Sequence, residues 1–224
     1  MKKLVVFLVL LLSGASASAV QLISIITGAD MAGMEVTATF SNGSSETATW
    51  IVTDVPATPV PAGSPVGDFE VYAGGAFGNG WSLTQRGETF GDVDLANNQF
   101  FGQWTLSNQT GVTMDGLVID AFIPLDSYIV FDNIFGVEHT PTSDVGRPFT
   151  PNSNAVTGVY SNPYSDPDLW GTLALSFAGG FADGSTLNFM ADTDKIPVPG
   201  TFLLVLVWPA LRIARNAAMN AKQY

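Results

Sequence analysis

Apolar and polar residues alternate one by one through much of this chain, the two-residue period of half-buried strands. The alternation is cleanest over residues 34–40, where Met34, Val36, Ala38 and Phe40 fall on one face and Glu35, Thr37 and Thr39 on the other. Ser41, Asn42, Gly43 and Ser44 follow as a turn, with Asn-Gly supplying positive φ at low steric cost. Residues 46–53 return with Ala48, Trp50 and Val52 on one face, which predicts a hairpin. Further strands are predicted at 67–72, 80–84, 100–107, 116–123, 128–131, 171–178 and 185–191. No helical period competes with them between residues 20 and 195. The pattern predicts an all-β fold, a single antiparallel β-sandwich of jelly-roll-like build.

Two stretches interrupt the alternation. Residues 52–65 hold Pro56, Pro59, Pro61 and Pro65, so they are expected to cross a sheet edge in extended form. Residues 136–171 hold Pro141, Pro148, Pro151, Pro163 and Pro167, punctuated by Asp144, Asn152, Asn154 and Asn162. A loop of that length is expected to be either functional or disordered. It carries His139, the one histidine of the chain. It also carries Tyr160, Tyr164 and Trp170, the aromatics best placed to stack on a sugar face, whereas Trp50 and Trp104 sit in strong strand patterns and are expected in the core.

Both ends of the chain read as targeting segments. Met1-Lys2-Lys3 is a basic start, residues 4–12 are an apolar run of nine, and residues 13–19 are small and polar. Ala17-Ser18-Ala19 fits the small-x-small cleavage pattern, so a signal peptide at 1–19 and cleavage before Val20 are expected. At the other end stand Ile196-Pro197-Val198-Pro199, then an apolar run of 11 residues at 201–211, then Arg212 and Arg215. About 20 apolar residues are needed to cross a bilayer core. The run is therefore short for a permanent span and suits a signal that is read and removed. Box, apolar run and arginines together resemble the PEP-CTERM sorting domain of exported bacterial proteins. The resemblance implies recognition by an exosortase-like membrane protease, with the four box residues and Arg212 and Arg215 as the signal. On this reading the body spans 20–195, the sorting segment 196–215 and a tail 216–224.

Charge narrows the partners. All 20 Asp and Glu lie in the body, against Arg86, Arg147 and the boundary residue Lys195 among the basic residues there. Up to residue 194 the body therefore carries −18, with 20 acidic groups against two arginines. No cationic surface exists to neutralise phosphates, which excludes nucleic acid as a partner. Zero cysteines exclude a thiol nucleophile, a thiolate metal site and disulfide staples. One histidine cannot make a two-histidine zinc site, and no Gly-x-Ser-x-Gly elbow, phosphate loop or dinucleotide fingerprint occurs. No enzyme is expected.

The carboxylates point to a different chemistry. Asp192-Thr193-Asp194 closes the predicted last strand with both carboxylates on one side of it. A hard cation such as Ca²⁺ takes six to eight oxygens, and sandwich ends can supply them. Asp192 and Asp194 are the candidate ligands, with Asp120 and Asp132 as partners; no cofactor is required, and Ca²⁺ is the ion these residues would take. The stretches 28–40, 104–108, 117–121, 130–132 and 192–194 resemble a group of secreted PEP-CTERM proteins, a resemblance that carries over no activity. The expected protein passes through the Sec export machinery and signal peptidase and is held briefly in the inner membrane. It then reaches the cell surface or the medium as a non-enzymatic surface or matrix protein. The alternative is a carbohydrate-binding module attached to exopolysaccharide through Tyr160, Tyr164 and Trp170.

Overall fold

The computed structural model describes residues 23, 25–55, 58, 71–94, 99–122, 127–134, 146–164 and 168–197. Among these the chain forms strands and no helix. In chain order they are β1 (Glu35–Phe40), β2 (Ser45–Thr49), β3 (Ile51–Asp54), β4 (Ala73–Phe77) and β5 (Trp81–Arg86). Next come β6 (Asp92–Asp94), β7 (Gln99–Phe101), β8 (Trp104–Asn108), β9 (Met114–Asp120) and β10 (Ser127–Asp132). The rest are β11 (Thr150–Pro151), β12 (Val156–Pro163), β13 (Leu169–Phe181), β14 (Thr186–Met190) and β15 (Asp192–Pro197).

One sheet runs β15-β10-β13-β9-β1-β2, with β12 also on β13; the other runs β11-β14-β8-β5-β4-β3; β6 and β7 form a small ribbon. The alternation explains the layers. Val36, Ala38 and Phe40 of β1 and Leu117 and Ile119 of β9 point into the same buried cluster as Leu83 of β5 and Trp104 and Leu106 of β8. Their neighbours Glu35, Thr39 and Val118 face solvent. The molecule is the antiparallel β-sandwich that the pattern predicts.

Two corners depart from it. The strand predicted at 46–53 is two strands, because the chain changes sheets at Trp50: β2 pairs with β1, and β3 with β4. Likewise the strand predicted to end at Asp192–Asp194 stops at Met190. Asp192 opens β15 in the opposite sheet, beyond the corner residue Ala191. Indoles pin both corners. Trp50 Nε1 donates to the Gly28 carbonyl at 2.8 Å, and Trp104 Nε1 donates to the Ala191 carbonyl at 2.9 Å. The two rings meet at 5.3 Å between centroids, and Phe189 stacks on Trp104 at 5.7 Å.

The proline-rich stretch 136–171 is also more regular than expected. It contains β11, β12 and the start of β13, while residues 135–145 and 165–167 lie outside the described set. Pro151 and Pro163 are accommodated because β11 and β12 end their sheets, where a missing N–H removes no central ladder bond. Asn162 adopts φ 56° there, a conformation asparagine tolerates, and donates through Nδ2 to Thr172 Oγ1 at 2.7 Å. Most of the strand predicted at 67–72 lies outside the described residues, and the strand observed in this part of the chain is β4, Ala-Gly-Gly-Ala-Phe. Gly74 is required: a Cβ there would meet the Gly28 carbonyl and Trp50 Nε1. Gly74→Ala is expected to cost about 1–3 kcal/mol through this overpacking, read as a lowered denaturant midpoint with an unchanged slope. A variant as stable as the parent would mean that the Trp50 corner has slack.

The outer edge of β15 is closed rather than open. β10 occupies one edge along its whole length. On the other, Ile23 makes an antiparallel bridge to Lys195, with Ile23 N–H to the Lys195 carbonyl at 2.8 Å and Lys195 N–H to the Ile23 carbonyl at 2.9 Å. The chain then runs on beside residues 87–89, where Thr89 N–H reaches the Ile26 carbonyl at 2.8 Å and Gly28 N–H the Gly87 carbonyl at 3.2 Å.

Candidate functional site

The carboxylates singled out by spacing converge on this last strand. Asp132 of β10 stands directly opposite Asp192 of β15, and Asp194 lies opposite Val130 two residues further on. Cross-strand partners share a face, as do residues two apart on one strand. The same face carries the small apolar cluster of Val130, Leu169 and Ile196. Ile129 and Phe131 turn the other way, into the main core. All three aspartates are buried, with Asp132 at 0%, Asp192 at 2% and Asp194 at 1% exposure. Sequence spacing alone leaves these groups as solvated strand ends; their burial comes from segments far away in the chain.

Two such segments close over them. Arg147 N–H donates to the Asp132 carbonyl at 3.1 Å, and Asp192 N–H donates to the Arg147 carbonyl at 3.0 Å. The preceding residue must be glycine, because a Cβ on Gly146 would collide with the Asp132 carboxylate. From the other side Thr89 places its hydroxyl 3.0 Å from Asp192 Oδ1, and Thr193 N–H donates to the same oxygen at 2.8 Å. The Thr193 hydroxyl lies 3.0 Å from that of Thr89.

Three carboxyls in so little space cannot all ionise freely. Burial pushes the Asp192 carboxyl well above the ordinary carboxylate range, and Asp194 and Asp132 push it the same way. The hydrogen bonds from Thr89 and Thr193 oppose that rise without cancelling it. Burial and neighbouring carboxyls thus favour the protonated form of Asp192 in the seam between β10 and β15. Hollows of about 200, 240 and 230 Å³ on the described body are lined by other residues.

The remaining predicted site residues separate from this seam. Asp120 ends β9 opposite Glu35 and Thr172, and its Oδ1 accepts the Phe122 N–H at 3.0 Å. No group of three or more His, Asp or Glu side chains among the described residues is arranged to hold a metal ion. Tyr160 is part of the packing. Its ring lies 5.9 Å from Phe131 and 6.4 Å from Trp170, and its hydroxyl accepts the Phe149 N–H at 2.7 Å. Burial raises its phenol above the ordinary range; the Phe149 bond lowers it, and Asp192 and Asp132 raise it further. Tyr164 and Phe122 pack at 6.3 Å beside the smaller cluster, and Trp170 leans on the main core. Half-buried and engaged in tilted ring contacts, the three aromatics do not form one open stacking platform.

Ile196 and Pro197 belong to β15, opposite Tyr128 and Ser127. Ala17, Ala19, Val198, Pro199, Arg212 and Arg215 lie outside the described residues, as does His139. No family model, curated protein or solved structure matches this chain.

Proposed function

We propose that this is an exported, non-enzymatic surface or matrix protein whose C-terminal segment is read by an exosortase-type membrane protease. The observation that carries the reading is the order of parts over residues 196–215: a proline box, an apolar run of 11 residues and a pair of arginines. The box begins inside the last strand of the sandwich, where Ile196 is 1% exposed and packs with Val130 and Leu169. A closed body thus leads directly into the apolar run, the layout expected of a folded domain held at a membrane by a short removable segment. The acidic surface suits an extracellular life, since self-repulsion opposes aggregation and cations are its natural counter-ions.

The test is fractionation of tagged protein with and without residues 201–215, in a host that carries such a protease. The complete chain is expected to shorten and to collect at the surface or in the medium. The truncated chain is expected to lose the second cleavage and to change compartment. Identical size and location for the two proteins would sink the sorting role.

A further inference from the structure

A residue just after the expected signal cleavage position pairs in the fold with the residue just before the sorting box. Ile23 lies four residues beyond Ala19, the expected signal cleavage position, and Lys195 immediately precedes Ile196 of the box. Both backbone hydrogen bonds of the pair are made, at 2.8 and 2.9 Å. The bridge is antiparallel. In that geometry the chain arrives at Ile23 from the same end of the strand pair towards which it leaves Lys195. At no more than about 3.6 Å per residue, the apolar run at 201–211 begins within about 22 Å of the bridge. The expected cleavage position lies within about 15 Å by the same measure. Both distances are smaller than the roughly 30 Å thickness of a bilayer core.

We propose that the Ile23–Lys195 bridge is an export clasp: Ile23 closes the free edge of β15, so that the sorting enzyme receives the box from a closed strand. This inference rests on the sorting reading. Ile23 is 45% exposed, so its side chain adds little packing and the contact is one of backbone geometry. Thr89 closes the same edge one step earlier, at the Thr193 carbonyl, 3.1 Å away. Once Ile23 has docked, β15 is bonded on both sides from Thr193 to Lys195 and cannot peel away to feed the enzyme a longer extended substrate.

A chain without cysteine permits a direct test. A hydrogen-bonded antiparallel pair holds its Cα atoms about 5.5 Å apart, inside the range a disulfide spans. The full chain carrying Ile23→Cys and Lys195→Cys is expected to cross-link on export without added oxidant, read by a thiol-reactive mass tag. The offset pair Ile25→Cys with Lys195→Cys is expected to keep free thiols. The cross-linked protein should lose its C-terminal segment at the parent rate. Ile23→Pro, which lacks the donated N–H, should slow that step at least threefold, with Lys195→Cys alone close to the parent. Absence of the cross-link, a cross-linked protein that stays uncut, or an Ile23→Pro rate equal to the parent's would each overturn the clasp. If the parent chain itself keeps its C-terminus, the sorting reading fails, and the cross-link alone then decides whether the clasp exists.

Discussion

Replacing Trp104 with alanine is expected to lower stability by about 3–5 kcal/mol, the usual cost of deleting a buried indole. For a body of this size that corresponds to a melting temperature lower by about 10 °C. Three losses combine at this position. The side chain is 0% exposed, its ring contacts Trp50, Phe131 and Phe189, and its N–H satisfies the Ala191 carbonyl at the turn into β15. Phenylalanine would restore most of the volume and leave that carbonyl without its donor, so Trp104→Phe should recover only part of the loss. Trp170→Ala, at a half-buried position, should cost clearly less. A Trp104→Ala protein within about 1 kcal/mol of the parent would show that the corner does not depend on the indole.

The second large effect is a dependence of stability on pH set by Asp192. Burial, then Asp194 and Asp132, hold its carboxyl well above the unfolded value of 3.8. The folded chain therefore binds this proton more tightly than the unfolded chain does. Its contribution to stability is fully present below pH 3.8 and is lost as pH rises from there through the folded value. Asp192→Asn cannot ionise, and its amide oxygen can still accept from Thr89 and Thr193. The variant should gain on the parent steadily as pH rises, with no gain at the acid end. Denaturant melts of both proteins across the acid-to-neutral range measure the difference. Parallel stability curves would remove Asp192 from the account.

The sandwich was legible wherever alternation and turn chemistry agreed. The β1–β2 hairpin, with Asn42 and Gly43 between two alternating runs, is the clearest case. Periodicity reports which face a residue takes, not which sheet its strand joins. It therefore runs without a break through Trp50, where the chain changes layer. The β4 strand was illegible for the opposite reason, because Gly74 serves the close approach of Gly28, Gly75 lies against the Leu83 carbonyl and the Phe77 ring, and neither has a strand preference of its own. At the candidate site, spacing placed Asp192 and Asp194 on one side of a strand. Their burial depends on Thr89, Gly146 and Arg147, which no local pattern ties to them.

The position of β15 also bears on when this chain can fold. The strand completes its sheet only by pairing with β10, and the Thr193 hydroxyl reaches Met31 at 3.8 Å across a separation of 162 residues. Contacts between such distant parts of a chain make folding slow, because the entropy of closing the loop is lost before the contacts repay it. During synthesis the first 190 or so residues lack the strand that seals the seam over Asp132. A chain built in this order reaches its complete sheet, and the burial of its three clustered aspartates, only once β15 has been made.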